Sequence, residues 1–413
     1  MQSAISSSTR LGADPESHRR VSNRKSAILR FVVALIVLAT ANVASAQPRY
    51  TVKTTGDIVQ LRDAKTDTTV SVMTSMSNAY EMVVKGENLI RMTFATVDDF
   101  RARPGLNGIP LLAPFANRLD EQAFYANGKK YNFDMALGNV RGTIPIHGYL
   151  SGAKDWTLVE ANADGKAAWV TCKLEYYRNP QWMKQFPFAH TLQMTYRLED
   201  GVLEVRTRID NLSVEPMPVA IGFHPYFQLT DSTREDWTVS IGAKTHWLLA
   251  ENKIPTGETE PIAKMFPDPR AVALKDVDLD DVYSDLERDA QGRAVMSVKG
   301  KGQQLDVLLG PNYRSVVLYS PNPANARGGG GGGRGRGQGQ NPAPPAPAAP
   351  AAPGVPLTGT NPNLPNRGFI AFEPMVGITD SMNLAHKGLY KELQSIPPGG
   401  SWQESFWLRP KGF

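Results

Sequence analysis

The sequence predicts an all-β fold in which short antiparallel strands build a sandwich-like domain. Apolar and polar residues alternate over many short segments, and glycine and proline interrupt these segments frequently. Alternation with a period of two residues is typical of strands that bury one face, and no segment shows the long 3.6-residue period of an amphipathic helix. The chain of 413 residues, 41% of them hydrophobic, is long enough to bury a sizeable core.

One β-hairpin can be predicted in detail. Apolar side chains alternate from Leu192 to Leu198 and again from Leu203 to Ile209, and Gly201 lies in the turn between them. Glycine is suited to this place because it adopts a positive φ without steric cost. Further predicted strands span residues 68–74, 168–176, 304–309 and 315–319.

A stretch without large apolar side chains interrupts the strand pattern at residues 324–365. It contains six consecutive glycines at residues 328–333, an Arg-Gly repeat and then Pro-Ala repeats. Such a composition cannot offset the entropy cost of ordering the chain, so we predict a disordered Gly/Pro/Ala-rich surface insertion. An RNA-binding arm is the alternative, but three arginines provide few phosphate contacts.

Residues 1–46 have the three parts of a secretory signal peptide. A basic stretch precedes the apolar run at residues 28–39, and Ala44-Ser45-Ala46 fits the small-residue cleavage rule. The run is shorter than the ~20 residues of a typical transmembrane helix. We therefore predict an exported protein, periplasmic or secreted, that starts near Gln47 as a mature domain of residues 47–413 without a stable membrane anchor. The alternative is an uncleaved anchor.

Charge and cysteine content exclude several classes of function. The formal net charge is +5, and residues 1–46 contribute +4 of it, so the remainder is nearly neutral. A nucleic-acid-binding domain would need a basic face, and we expect none. Cys172 is the single cysteine, which rules out an intrachain disulfide and a cysteine-based metal site. It lies in a predicted strand and is expected to be a small core residue.

Two ionisable residues stand in apolar surroundings and directly precede proline. His224 lies in Gly-Phe-His-Pro-Tyr-Phe (222–227), and Glu373 ends the apolar run Phe-Ile-Ala-Phe (369–372) before Pro374. A following proline favours an extended backbone at both positions. Histidine exchanges protons near neutral pH, and partial burial makes a carboxylate a stronger base. We therefore predict that these two residues are a general acid and a general base.

Two further segments carry polar groups that could bind a ligand. Asn117-Arg118 follows an apolar stretch, and a guanidinium presents a planar fork of donors to hydroxyl oxygens. His147 precedes Gly148, which permits a turn or a close backbone approach. Each segment taken alone also fits a structural role, a salt-bridged arginine in the first and a satisfied histidine in the second.

Together these motifs resemble the aldose 1-epimerase, or galactose mutarotase, family over roughly residues 55–410. The resemblance implies a large antiparallel β-sandwich of the galactose mutarotase-like supersandwich type, with the sugar in a cleft on one curved sheet. The motifs that carry the resemblance are Asn117-Arg118, His147-Gly148 with Trp156, residues 222–227, residues 254–258, residues 279–281, and Glu373 with Asp380 and Asn383.

The resemblance also implies roles for individual residues. Glu373 matches the general base of the family and His224 its general acid. Substrate binding falls to Asn117, Arg118, His147 and Asp280. The choice between Asp280 and its neighbour Asp281 stays open, because either residue can be aligned with the sugar-binding carboxylate.

The implied activity is aldose 1-epimerisation of a free aldohexose by acid–base ring opening and closure. In the implied mechanism, the carboxylate and a protonated imidazole lie on opposite sides of the pyranose. No redox step occurs, so we expect neither a cofactor nor a metal, and the sequence has no Gly-x-Gly-x-x-Gly fingerprint at a strand–helix junction. The expected partner is a free monosaccharide rather than a nucleic acid, and the expected state is a monomer or homodimer. The alternatives are a hexose-phosphate 1-epimerase and a non-catalytic carbohydrate-binding protein.

Overall fold

Two large antiparallel sheets make up most of the protein in a computed structural model that describes residues 48–322 and 368–413. The predicted all-β sandwich is confirmed. The signal peptide predicted at residues 1–46 and the insertion predicted at residues 324–365 lie outside the described residues. No helix among the described residues has the length and apolar character needed to cross a membrane.

The larger sheet has nine strands in the described part of the chain. In spatial order they are β11 (Thr157–Ala163), β12 (Ala168–Glu175), β13 (His190–Glu199), β14 (Val202–Asn211), β28 (Ser401–Lys411), β24 (Gln304–Leu309), β23 (Ala294–Lys299), β18 (Thr238–Ser240) and β21 (Val272–Ala273).

The second sheet has eight described strands and carries the candidate site. Its spatial order is β20 (Pro255–Pro261), β19 (Ala243–Leu249), β22 (Leu279–Leu286), β25 (Ser315–Ser320), β26 (Ile370–Met375), β16 (Gly222–Phe223) and β6 (Leu111–Leu112), with β17 (Tyr226–Phe227) also paired to β26.

Smaller sheets and short helices complete the described residues. The five-stranded sheet comprises β1 (Tyr50–Thr55), β2 (Ile58–Asp63), β3 (Thr68–Met73), β4 (Asn78–Val84) and β5 (Glu87–Asn88). Two-stranded sheets pair β7 (Ala123–Ala126) with β8 (Lys129–Asn132), β9 (Val140–Arg141) with β10 (Ile144–Pro145), and β15 (Met217–Val219) with β27 (Gln394–Ile396). The helices are α1 (Val97–Ala102), α2 (Pro180–Gln185) and α3 (Ser381–His386).

The predicted hairpin forms strands β13 and β14. The burial of both strands alternates along most of their length, as expected for one face in the core. Asp200 and Gly201 make the two-residue turn with positive φ angles of 48° and 72°. These angles match the turn type that preserves the twist of a two-residue hairpin.

The two large sheets share one hydrophobic core. Phe223 of the eight-stranded sheet packs against Phe406 of the nine-stranded sheet, with ring centroids 5.0 Å apart. Cys172 is buried in this core, as predicted, and burial raises the pKa of its thiol to about 12. The thiol is therefore a packing group and not a nucleophile.

A fully buried arginine, Arg234, is hydrogen-bonded to the end of strand β25, close to where the first range of described residues ends. Arg234 donates from Nε to Ser320 Oγ at 2.9 Å and from Nη2 to the Ser320 carbonyl at 2.7 Å. Ser320 Oγ in turn donates to the carbonyl of Phe369 at 2.7 Å. The ends of β25 and β26 are thus held directly to each other.

Candidate active site

Glu373 lies in a strand whose six residues are all buried. Strand β26 pairs with β25, and Val317 is the partner of Glu373 in that ladder. Two residues along β26 from Glu373, a row of paired residues crosses three strands and consists of Asp280, Tyr319 and Ala371. Because side chains two residues apart share a face of a sheet, Glu373, Tyr319 and Asp280 point to the same side.

His224 is placed beside Glu373 by two short strands. Gly222 in β16 pairs with Met375, and Tyr226 in β17 pairs with Ala371, so the intervening residues border β26. His224 Nε2 lies 3.0 Å from Glu373 Oε1, and only 5% of His224 and 2% of Glu373 are exposed. The two predicted catalytic residues are therefore in direct contact.

A glycine at position 222 is required for this approach. A Cβ atom there would lie 2.8 Å from both the Ala116 side chain and the Pro374 carbonyl oxygen, which is closer than real Cβ contacts allow. The backbone before His224 therefore packs against β26 only without a side chain. Aromatic rings surround the imidazole beyond it, with Tyr226 at 4.7 Å and Tyr319 at 6.3 Å between centroids.

Burial drives both members of the pair toward their neutral forms. It raises the pKa of Glu373 well above its ordinary value; Asp280 adds to this effect and Arg118 opposes it. Burial also lowers the pKa of His224 to about 4, and the charge of Arg118 acts in the same direction. Both shifts favour a pair with its one titratable proton on the carboxyl group, beside a neutral imidazole. The sequence-based expectation placed this proton on the imidazole.

His147 and Arg118 lie on two loops that pair beside the predicted catalytic residues. Arg118 forms an isolated bridge with Ile146, and the His147 amide donates to the Asn117 carbonyl at 2.7 Å. Asn117 and His147 have φ angles of 57° and 62°. Such a conformation is unusual for histidine and persists only where surrounding contacts enforce it, typically at functional sites.

The His147 ring packs edge-on against His224, with centroids 5.1 Å apart. Gly148, the next residue, has a φ of 58°, and a Cβ atom there would lie 2.1 Å from the Ala113 carbonyl oxygen. The close backbone approach expected from this glycine is therefore present. Burial lowers the pKa of His147 well below its ordinary value, so its imidazole is neutral.

Arg118 is buried and uses one of its donors within the loop. Its Nη1 donates to Asn117 Oδ1 at 2.9 Å, so the Asn117 side chain holds the guanidinium. The charges of Asp280 and Glu373 both act on Arg118. Asn117 therefore reaches the site mainly through Arg118, while the guanidinium and the two carboxyl groups lie within electrostatic range of one another.

The two neighbouring aspartates occupy different environments. Asp280 is half-buried, lies in the row with Tyr319, and has its Oδ2 3.8 Å from Lys253 Nζ. Asp281 instead directs its Oδ1 to His246 Nε2 at 3.4 Å. Asp280 is thus the aspartate that faces the candidate site.

Several buried polar atoms at this site have no partner within the described part of the protein. They are Glu373 Oε2, His224 Nδ1 and His147 Nδ1. Buried polar atoms are normally hydrogen-bonded, so three such atoms around one contact suit a ligand rich in hydroxyl groups. No group of three or more His, Cys, Asp or Glu side chains in residues 48–322 and 368–413 is arranged to hold a metal ion.

Sequence reasoning missed part of the aromatic wall. Phe369 packs against Tyr226 at 5.1 Å and against Tyr319 at 5.8 Å. Tyr319 lies in a predicted strand, but no signal in the sequence shows that β25 adjoins β26. Trp156, by contrast, is buried with the residues of the main hydrophobic core.

Solved structures of similar fold cover nearly the whole chain. A galactose mutarotase-like protein from Clostridium acetobutylicum superimposes with a TM-score of 0.67 at 19% identity, covering 88% of this chain and 98% of its own. Galactose 1-epimerase from Lactobacillus acidophilus NCFM gives 0.62 at 15% identity, again covering 88% and 98%. A putative aldose 1-epimerase from Escherichia coli K12 gives 0.56 at 16% identity, covering 88% and 99%. These similarities establish a common fold.

The sequence itself matches the family described as aldose 1-epimerase over residues 57–363. This match includes five of the six predicted site residues, namely Asn117, Arg118, His147, His224 and Asp280. Glu373 lies beyond its end, so its place in the site rests on the contact with His224. The match spans well over half of the sequence, and the chain belongs to the aldose 1-epimerase family.

Proposed function

We propose that the protein is an aldose 1-epimerase that interconverts the α and β anomers of a free aldohexose. The observation that carries this proposal is the contact of 3.0 Å between His224 Nε2 and Glu373 Oε1. An acid and a base in contact, both buried and sharing one proton, have the composition that mutarotation requires. Membership of the aldose 1-epimerase family supports a mutarotase-type activity.

The reaction moves two protons and breaks one ring bond. A base removes the proton of the C1 hydroxyl while an acid protonates the ring oxygen, and the bond between C1 and the ring oxygen breaks to give the open-chain aldehyde. Rotation about C1–C2 and the reverse steps form the other anomer. Each positioned proton transfer contributes about 10²–10⁴ in rate.

The contact between the two groups supports an arrangement in which both act from one edge of the sugar. His224 Nε2 and Glu373 Oε1 are only 3.0 Å apart. Because the C1 hydroxyl and the ring oxygen are both bonded to C1, adjacent groups can address both from one edge of the sugar. Passing the shared proton from Glu373 to His224 yields the carboxylate base and the imidazolium acid.

Neighbouring residues are suited to hold the sugar while it opens. Arg118 and His147 offer buried donors beside the pair, and the half-buried carboxylate of Asp280 accepts hydroxyl hydrogens. Tyr319 and Phe369 supply apolar ring faces at the same place. Holding the open chain near its ring-closing geometry adds to the rate by proximity.

Polarimetry on freshly dissolved α-anomers tests the proposal directly. A panel of free aldohexoses should show accelerated mutarotation with wild-type protein, and Glu373→Gln should lower kcat by more than about 10²-fold because the base is lost. Glu404→Gln is the matched control, since Glu404 is also buried but lies in β28 of the other sheet. Its kcat should equal that of the wild type.

Other outcomes would replace the proposed activity. Sugar binding without faster mutarotation would indicate a carbohydrate-binding protein. Activity restricted to hexose phosphates would indicate the hexose-phosphate branch. A fully active Glu373→Gln variant would remove the pair from the mechanism.

We also propose that the protein is exported and that residues 1–46 are removed. The basic stretch, apolar run and Ala44-Ser45-Ala46 support this proposal. The intact mass of protein recovered outside the cytoplasm should correspond to a chain that starts near Gln47. A mass that still includes residues 1–46 would contradict cleavage.

A further inference from the structure

A second cluster of an imidazole and carboxylates lies beside Asp280. His246 in β19 directs Nδ1 to Glu260 Oε1 of β20 at 3.1 Å. Its Nε2 lies 3.4 Å from Asp281 Oδ1 of β22. His246 is 8% exposed, so this imidazole is held between two carboxyl groups inside the sheet rather than on its surface.

Asp281 connects this cluster to the candidate active site. While its Oδ1 faces His246, its Oδ2 accepts a hydrogen bond from the backbone amide of Asp280 at 3.1 Å. One carboxylate therefore touches both the imidazole and the backbone of the residue that faces the sugar site. A change at His246 reaches Asp280 through a single side chain.

On the side of β19, the ladder of β22 stops short of Asp280, and the Asp281 carboxylate accepts a hydrogen bond from the Asp280 amide. The pairing of β19 with β22 extends as far as His246 opposite Tyr283. Asp280 lies three residues from Tyr283 along β22, beyond the end of the pairing with β19. There the Asp281 side chain accepts a hydrogen bond from the Asp280 N–H.

The geometry around His246 favours the imidazolium. Both of its ring nitrogens face carboxyl oxygens, and only the doubly protonated ring can donate to both. The hydrogen bond to Asp281 is the main cause that raises the pKa of His246, and Glu260 adds to it, although burial opposes both. Burial works against ionisation of Asp281, but the hydrogen bonds from His246 and the Asp280 amide outweigh it and lower its pKa.

Other charged groups reach this cluster only from its edge. Lys264 Nζ lies 3.8 Å from Glu260 Oε2, and Lys253 acts electrostatically on Asp281. The Tyr283 ring packs against the imidazole with centroids 5.6 Å apart, and its pKa is raised well above the ordinary value by burial. Glu260 and Asp281 are therefore the groups that set the protonation of His246.

We propose that His246 is a positioning residue that, as an imidazolium, holds the Asp281 carboxylate against the Asp280 amide and so fixes the Asp280 carboxylate for sugar binding. The sugar-binding part of this inference rests on the proposed function. The hold is complete below pH 6.5, the ordinary pKa of histidine, as long as Asp281 stays ionised, and it is lost as the pH rises through the raised pKa of His246. Sugar affinity therefore falls with rising pH, while the catalytic pair is not touched.

A test without sugar follows the backbone amide of Asp280. In protein labelled with ¹⁵N-aspartate, the Asp280 signal, assigned by its loss in Asp280→Asn, should shift with pH at the same midpoint as the His246 ring. In His246→Gln this step should disappear. A step that persists in His246→Gln, or an amide that never follows the imidazole, overturns the proposal.

Kinetics separates positioning from a general structural role. His246→Gln should raise the KM for the sugar about three- to tenfold, with kcat at saturation within about twofold of wild type. The rise of KM with pH seen in wild type should be absent in the variant. A parallel loss of kcat and thermal stability, or an unchanged KM, overturns the proposal.

Glu260→Gln provides a milder companion variant. It leaves the contact of His246 with Asp281 in place but removes one carboxylate, so the His246 imidazole should titrate at a lower pH than in wild type. The rise of KM with pH should begin at this lower pH. An unshifted KM profile despite a shifted imidazole midpoint overturns the link.

Calorimetric binding separates this inference from the proposed function. If wild type binds sugar but does not accelerate mutarotation, the proposed activity fails, and Kd replaces KM in the same comparison. A Kd that weakens about three- to tenfold in His246→Gln then supports the positioning role, and an equal Kd overturns it.

Discussion

Two imidazole–carboxylate contacts lie at the same eight-stranded sheet, and their surroundings shift the pKa of the imidazole in opposite directions. His224 contacts Glu373 at 3.0 Å, and burial lowers the pKa of its imidazole to about 4. His246 contacts Asp281 at 3.4 Å and Glu260 at 3.1 Å, and these hydrogen bonds raise the pKa of its imidazole. Burial favours the neutral forms of the first pair, whereas hydrogen bonding favours the ionised forms of the second.

The contrast between the two imidazoles follows from the exposure of the neighbouring carboxyl groups and from the number of those groups. Glu373 has a side-chain exposure of 2%, whereas Asp281 and Glu260 retain 15% and 23%. Desolvation therefore dominates in the first pair, while water and a second carboxylate stabilise the charge in the other. A buried pair that holds one movable proton suits catalysis, and a solvated ionic pair suits positioning.

Removal of the His224 imidazole should give the largest effect, and comparison with removal of the His246 imidazole is the most direct test of this contrast. His224→Asn should lower kcat by more than about 10²-fold, because no acid remains beside Glu373. His246→Gln should leave kcat within about twofold. Polarimetry at saturating sugar measures both, and equal losses of kcat in the two variants would abolish the distinction.

The pH profile of kcat/KM sharpens the contrast for the first pair. With the pKa of His224 lowered to about 4, the pair keeps a single proton from that pH up to the raised pKa of Glu373. Below about pH 4 both groups are protonated and no base remains, so the rate should fall about tenfold per pH unit. Initial rates between pH 3.5 and 8 check this. An acidic limb near pH 6.5 would mean that burial does not control His224.

Asp380 extends the comparison to a buried carboxyl group whose hydrogen-bond partners are amides and not an imidazole. Burial raises its pKa from 3.8 to about 7, so the folded protein keeps it neutral while the unfolded chain ionises it. Stability is therefore lost as the pH rises from 3.8 to about 7 and changes no further above it.

Asp380→Asn should remove this loss, because an amide oxygen can still accept from the Asp120 amide and from Asn383. At pH 7 the variant should gain on the order of 2–4 kcal/mol relative to its difference at pH 4. Urea unfolding at the two pH values measures the change. Parallel pH dependence in both proteins would show that Asp380 is ionised in the folded state.

Replacing residues 324–365 by a short Gly-Ser linker should have the smallest effect. Ser320 and Phe369 are hydrogen-bonded to each other at 2.7 Å, so a short connection can join β25 to β26 without moving Glu373. Polarimetry should give kcat within about twofold of wild type and the same pH profile. A large loss of kcat with an unchanged melting temperature would assign the segment a part in the reaction.

The strands and the catalytic pair were predictable because each leaves a local signal. Alternation marked β13 and β14, and an ionisable residue before proline in apolar surroundings marked His224 and Glu373. Their assigned roles in the reaction stay predictions. The contact between them, 149 positions apart in the chain, follows from the pairing of β16 and β17 with β26, which local patterns do not encode.

The rest of the site depends on information that only the folded chain supplies. Asp280 and Asp281 could not be told apart, because adjacent residues of a strand face opposite sides and the sequence does not show which side meets the site. His246 gave no signal, since its partners lie 14 and 35 positions away on other strands. The protonation state of Glu373 required its burial to be known.

The clasp formed by Arg234, Ser320 and Phe369 has a practical consequence. Because β25 and β26 are fastened to each other at their ends, the connection between them can be exchanged without reopening the sheet. A fluorescent protein grafted at this position would have its two attachment points next to Tyr319 and Phe369, which border the candidate site. If the proposed sugar binding is confirmed, the clasp makes this fold a starting point for a genetically encoded sugar sensor.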